Sequence, residues 1–360
     1  MRLSTYLAQT GTPPPIQRGG WLDALRFIVA AMIIIHHFQL AAPVPLVEFH
    51  PVFERGYLLT NFFIIDSGYV LTRLYGKSMA RGQLAPGQFL RQRFSRVIPA
   101  HLIVSLGLAA IVLAATSAGL DPRHPEWFDW SQYPAQLFLV QSYGVPGGLG
   151  WNAPTWTLSA LLGCYVAFPV LARVFSRLGG FQLLLVGVGI FTIANFFTWA
   201  VLGYPVYQMP LAFGFLRALP LFACGILLGF ASERFFVPPR AAAILGIGAA
   251  VALATLQYFD RHSVASLALI CSILFAVGAI PVRSASPIAK TGALIAYSMF
   301  LTNEVVRITW FGVVNVLDAR FSFSEGTAWG LWAIGVDFAF TVAVVFYRFV
   351  DAPTQRALAI

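Results

Sequence analysis

Asp23, Arg26 and His37 are the residues whose types and spacing point most directly to chemistry. They punctuate the otherwise apolar run Leu22-Asp-Ala-Leu-Arg-Phe-Ile-Val-Ala-Ala-Met-Ile-Ile-Ile-His-His37. At about 100° per residue, Asp23, Arg26, Ala30, Ile33 and His37 share one helical face, and His36 is turned away by one residue's rotation. The steps from Asp23 to His37 rise about 21 Å, most of a hydrocarbon core. An imidazole on such a face suits general-base or nucleophilic work, because its ordinary pKa lies near neutral.

Further ionisable residues fall in apolar stretches: Asp66, Arg217, Glu304, Arg307 and Asp337. Each costs several kcal/mol in a spanning helix unless it is paired or hydrated. Glu304 and Arg307, spaced i, i+3, can neutralise each other, and Arg217 can pair with Asp337 or Asp66. Depth offers a second reading. Asn303 and Glu304 lie about 18–20 Å above a helix start near Thr291, level with His37, where a carboxylate could orient the imidazole. A third group, Arg73, Lys77, Arg81, Arg91, Arg93 and Arg96, has no acid among it. In Phe89-Leu-Arg-Gln-Arg-Phe-Ser-Arg-Val-Ile-Pro99, Arg93 and Arg96 are i, i+3 neighbours at a helix entrance, with Arg91 beside them, arranged to grip the phosphates of a donor by bidentate hydrogen bonds.

The elements that must position these groups are helices in a bilayer. The 360 residues are 58% hydrophobic and 10% charged, with a mean hydropathy of +0.76, which excludes an ordinary soluble domain. Apolar stretches recur at roughly 22–40, 56–75, 97–118, 154–175, 180–200, 211–230, 241–257, 264–281, 291–311 and 328–350. The expected fold is therefore all-α and polytopic, with about ten transmembrane helices. Net charge is +9, but its distribution between loops argues for membrane orientation rather than nucleic-acid binding. With both termini cytoplasmic, only Arg55, Arg123, Arg261 and Arg320 fall outside, together with Glu48, Glu54, Asp121, Glu126, Asp129, Asp260, Asp318 and Glu325. The first helix carries charges and no cleavage site, so it is read as retained, after a polar leader over 1–20 that contains Arg2 and Pro13. Cys164, Cys224 and Cys271 lie in separate helices without metal-ligand spacing and read as packing residues; no metal is expected. No nucleotide fingerprint or internal repeat is visible. The loop over 119–153 holds Trp127, Trp130, Tyr133, Tyr143, Trp151 and the glycine-rich run 144–150, suited to an interfacial aromatic belt or to a platform for sugar rings.

Six spaced motifs together resemble the acyltransferase 3 family of integral membrane O-acyltransferases. The family's Leu-Asp-x-Leu-Arg and distal His match Leu22, Asp23, Leu25, Arg26 and His37. Its Phe-Phe-x-x-Ser-Gly-Phe resembles Phe62-Phe-Ile-Ile-Asp-Ser-Gly-Tyr69, and its Arg-x-x-Arg-Ile-x-Pro resembles Arg93-Phe-Ser-Arg-Val-Ile-Pro99. Trp-Ser-Leu-Ser, then Tyr and Pro, is similar to Trp156-Thr-Leu-Ser159, Tyr165 and Pro169. Tyr297-Ser-Met-Phe-Leu301 and Tyr347-Arg-Phe-Val-Asp-Ala-Pro353 match the last two. Three positions depart from the pattern: Leu161 replaces a Glu, Asn303 a His, and Asp351 a Glu. Asp66 and Glu304 are the candidates to compensate.

The resemblance implies one ten-helix acyltransferase domain over 21–353 and a short cytoplasmic tail over 354–360, in the inner membrane. It implies a short-chain acyl-CoA, most simply acetyl-CoA, as co-substrate with no permanently bound cofactor, and a carbohydrate or glycolipid acceptor. His37 would be the base or a transient acyl carrier, aided by Asp23, Arg26 and Glu304. Arg93, Arg96 and Arg91 would hold the donor, and Ser67, Asp66, Trp156, Thr157, Ser159, Tyr165 and Asn303 would serve acceptor or oxyanion. The competing readings are a proton-coupled transporter using Asp66, Glu304 and Asp337, and a catalytically degenerate family member. Acceptor, acyl chain and oligomeric state stay open.

Overall fold

The structure, a computed structural model, describes residues 14–120, 124–145, 150–261 and 264–358. Arg2, Pro13, Asp121, Arg123 and Pro146-Gly-Gly-Leu149, which entered the sequence reading, lie outside the described residues. Among the described residues there are ten long helices. They are α1 (Trp21–Phe38), α2 (Gly56–Leu71), α3 (Pro86–Ser117), α4 (Trp156–Phe175), α5 (Gly180–Leu202), α6 (Gly214–Arg234), α7 (Pro239–Tyr258), α8 (Val264–Ala279), α9 (Pro287–Phe321) and α10 (Glu325–Phe346). Among the described residues there is no strand, and seven helices are individually long and apolar enough to cross a membrane. The other three are short or charged: α2 and α8 have 16 residues each, and α9 carries Lys290, Glu304 and Arg307. The fold is an all-α polytopic membrane protein, as expected where lipid leaves the backbone no partner but itself.

Two helices differ from the hydropathy reading. α3 begins at Pro86 rather than near 97, and α9 runs on to Phe321 rather than stopping near 311. Hydropathy marks only lipid-immersed turns, whereas Pro86 at the first helical position and the helix-favouring Gln88, Leu90, Arg91 and Gln92 carry α3 past the apolar stretch. Arg91, Arg93 and Arg96 therefore lie inside the helix, up to three turns from its start.

Helix α2 packs along α6 at its most intimate seam. A methyl group on Gly225 would overlap the Ile65 carbonyl, one on Gly68 the Phe222 carbonyl, and one on Gly229 the Thr72 side chain. Gly225 and Gly229 thus form a small-xxx-small face that lets two backbones touch. The central apolar cluster joins α2, α4 and α6 through Ile65, Tyr69, Phe168 and Phe222. A second joins α1, α9 and α10 through Ile34, Phe38, Met299 and Phe311, closed by the Trp332 indole donating to the Phe38 carbonyl at 2.9 Å.

The helices alternate in direction, so one end, the arginine-rich end, gathers Arg73, Arg91, Arg93, Arg96, Arg173 and Arg234. At the opposite end Arg55 pairs with Asp260 and donates to Gln257 at 3.1 Å. There the loop aromatics pack on one another: Trp151 is buried between Phe128, Trp130 and Tyr133, and its indole donates to the Asp129 carbonyl at 3.0 Å. Trp127 and Trp130 stay exposed. The Ser131 N–H and hydroxyl both donate to the Asp129 carboxylate and hold its pKa below the usual carboxylate range.

Candidate active site

His37 on α1 and Asn303 on α9 are each sixteen residues from their helix starts, about 24 Å up two helices that pack side by side. The imidazole Nδ1 lies 2.5 Å from the Asn303 Oδ1. The Asn303 amide nitrogen donates to the carbonyls of Met299 (2.9 Å) and Phe300 (2.7 Å). Reversing the amide would set its oxygen against both carbonyls, so the oxygen must face the ring. Nδ1 therefore carries the proton, and Nε2 keeps its lone pair as the only basic position. An amide that fixes a histidine tautomer does the orienting work of the third member of a triad. Replacing Asn303 with Leu should lower kcat by about 10²-fold at nearly constant KM, whereas Asn303→Asp, which keeps an acceptor, should stay within about tenfold of the parent. Steady-state kinetics of the two variants checks this.

His36 belongs elsewhere. Its Nδ1 donates to the Phe53 carbonyl at 2.8 Å, and its ring fills the notch over Gly56, where any side chain would overlap it. Glu304, expected as an orienting carboxylate, meets Arg307 instead, with both oxygens engaged at 2.6 and 2.9 Å. Neighbouring helical residues diverge by about 100°, so Asn303 facing His37 leaves Glu304 turned along its own helix. Arg307 in turn lies 5.8 Å from the Trp127 ring centroid.

The lower part of the stripe is a brace. Arg26 Nε donates to Asp66 Oδ2 at 2.7 Å, tying α1 to α2, and its Nη1 lies 3.7 Å from Asp23. Asp23 is buried and accepts from the Gly19 N–H at 2.7 Å, with Arg18 3.7 Å away. Asp66 Oδ1 is buried without a hydrogen-bond partner among the described residues. Arg26 and His37 are eleven residues apart, about 16 Å along the helix. Asp23, Arg26 and Asp66 therefore form one group and His37 with Asn303 another.

At the arginine-rich end the two guanidinium groups are not equivalent. Arg96 donates to the fully buried Asp351 at 2.5 Å and lies 4.7 Å from the Tyr297 ring centroid. Arg93 donates to the Tyr75 hydroxyl at 3.0 Å, stacks on Tyr75 and Phe89, and has no carboxylate partner among the described residues. Arg91 is exposed. A π-helical turn, Tyr347–Asp351, follows α10 and carries Asp351 to this contact.

The remaining candidates divide. The Ser67 hydroxyl and Tyr165 hydroxyl are 3.4 Å apart, between α2 and α4. Ser159 accepts from the Ser142 N–H at 3.3 Å, and the Ser142 hydroxyl donates to the Trp156 carbonyl at 2.7 Å, so both anchor a loop. Arg217 pairs with neither Asp66 nor Asp337; it donates to Asn61 and to the Tyr57 carbonyl and stacks on Trp156. Asp66 is taken by Arg26, and Asp337 is exposed on the outer face of α10. Sequence reasoning missed Asn61 and Tyr75, whose types carry no signal until the helices are paired.

Comparison with known proteins shows what the chain as a whole is similar to. The family model described as an acyltransferase domain, acyltransferase 3, matches residues 20–348. Two curated proteins are similar over part of the chain. "Protein 2 in picA locus" of Rhizobium radiobacter is 28% identical over 158 residues, covering 40% of this chain and 77% of that protein. "Acyltransferase MdmB" of Streptomyces mycarofaciens is 27% identical over 173 residues, covering 46% of this chain and 42% of its own length. No solved structure matches.

Proposed function

Because this chain belongs to the acyltransferase 3 family of membrane acyltransferases, we propose that it moves a short acyl group, most simply acetyl, from cytosolic acyl-CoA to a sugar hydroxyl of a surface or exported polysaccharide or glycolipid. The observation that carries this reading is the Asn303 contact that leaves His37 Nε2 free as a base. The excess of arginine at one end supports reading that end as cytosolic and the protein as lying in the membrane that borders the cytosol. There Arg93, with Arg91 and the Asp351-held Arg96, offers guanidinium groups to the phosphates of the donor.

His37 Nε2 takes the proton of the acceptor hydroxyl as its oxygen attacks the thioester carbonyl. The carbon–sulfur bond then breaks, and the proton passes to the departing thiolate, giving the ester and free CoA. The hydroxyls of Ser67 and Tyr165 are available to the oxyanion or the incoming sugar. Donor site and base lie towards opposite ends of the bundle, which suits a cytosolic donor and an acceptor on the far side.

Two measurements test this. Purified full-length protein given acetyl-CoA should release free thiol in the presence of acceptor, and cells lacking the gene should carry surface polysaccharide lighter by one acyl group per repeat. Solute flux across proteoliposomes without CoA release would instead establish a transporter.

A further inference from the structure

Arg217 is a buried charge that the proposed mechanism leaves unused. It lies in the first turn of α6 and is only 3% exposed. Nε and Nη2 both donate to Asn61 Oδ1, at 3.2 and 2.8 Å, and Nη2 also reaches the Tyr57 carbonyl at 3.1 Å. The guanidinium carbon is 5.0 Å from the Trp156 ring centroid. Nη1 has no hydrogen-bond partner, and no carboxylate pairs with the group, among the described residues. Among the described residues the Asn61 amide nitrogen and the hydroxyl of Thr157, next to Trp156, are buried and have no hydrogen-bond partner. The Asn61 amide nitrogen, the Thr157 hydroxyl and Arg217 Nη1 can all donate protons.

A buried cation with no counter-charge is costly, as is a buried donor with no acceptor. An anionic oxygen group beside Arg217 and Asn61, which already meet through Asn61 Oδ1, would supply the missing counter-charge and an acceptor. The setting favours it further, because α2, α4 and α6 all begin at this end and direct the positive poles of their dipoles toward it. It is also the end at which His37 lies. We propose that Arg217, Asn61 and Thr157 form a subsite for a carboxylate or phosphate carried by the acceptor, which makes this protein selective for acidic over neutral acceptors. The assignment of the ligand as acceptor rests on the acyltransferase reading above; the anion preference itself does not.

The test uses full-length protein in detergent, titrated with methyl glucuronide, methyl glucoside and hexyl phosphate and followed by calorimetry. The parent should bind one of the acids at least about tenfold more tightly than the neutral glucoside. A glucuronide preference assigns the charge to an acidic sugar, and a hexyl phosphate preference to the phosphate of a lipid carrier. Arg217→Gln should erase the preference and leave glucoside binding unchanged. Asn61→Asp should also erase it, by supplying an internal carboxylate, and it guards against misfolding because it keeps the guanidinium paired. Equal affinity for all three probes in the parent, or an acid preference that survives in both variants, would overturn the proposal. Thiol release from acetyl-CoA is scored separately, so its failure would remove the acyltransferase mechanism without touching an Arg217-dependent acid preference.

Discussion

Acyl transfer should fall by at least about 10³-fold in His37→Ala and by less than about tenfold in His36→Ala, although the two residues are adjacent and both are histidines. The difference follows from what each ring touches. His37 Nδ1 is committed to Asn303, so the truncation removes the one nitrogen free to take a proton. His36 donates to the Phe53 carbonyl and fills the space above Gly56, so its loss opens a gap between α1 and the start of α2. That variant should melt at a lower temperature in detergent while turning over. Retained transfer in His37→Ala with loss in His36→Ala would sink the assignment. The pH profile gives a second readout: the ascending limb of kcat/KM should vanish only with His37.

Arg26→Met should destabilise the fold by about 3–5 kcal/mol, because it strands the buried Asp66 carboxylate. Adding Asp66→Leu should restore most of that loss, since apolar pairs of similar volume replace buried ion pairs at little cost. Asp23 keeps the Gly19 N–H and Arg18 in both variants. The informative number is the activity of the double variant. Transfer within about tenfold of the parent is expected if Arg26 is a brace that sets the pitch of α1 against α2. A double variant that folds normally yet transfers nothing would mean that Arg26 touches the donor.

The division between what the sequence disclosed and what it withheld follows helix geometry. The helices were legible because lipid imposes a minimum apolar length, and the misplaced boundaries at Pro86 and Phe321 fall where a helix leaves that constraint. His37 could be singled out from residue spacing on one helix. Its level with residue 303 could be read from rise per residue, but which side chain at that level faces it could not. Phase between two helices depends on how they pack, and that decided for Asn303 over Glu304. The same holds for Arg26, whose partner is forty residues away on α2. Spacing alone pairs a buried arginine with an acid, but an amide, a carbonyl and an indole surround Arg217 instead.

The glycine seam between α2 and α6 also has a history in time. Membrane helices enter the bilayer in the order they are made, and Gly225 follows Gly68 by 157 residues. At about 5–20 residues per second, α2 waits roughly 8–30 s before the surface that fits its notch has been synthesised. It does not wait with a naked charge. Arg26 precedes Asp66 in the chain, so the two helices can enter as a hairpin already neutralised. The ion pair that braces the finished protein is thereby among the first tertiary contacts available to the nascent one, and the backbone-to-backbone seam must be among the later ones to close.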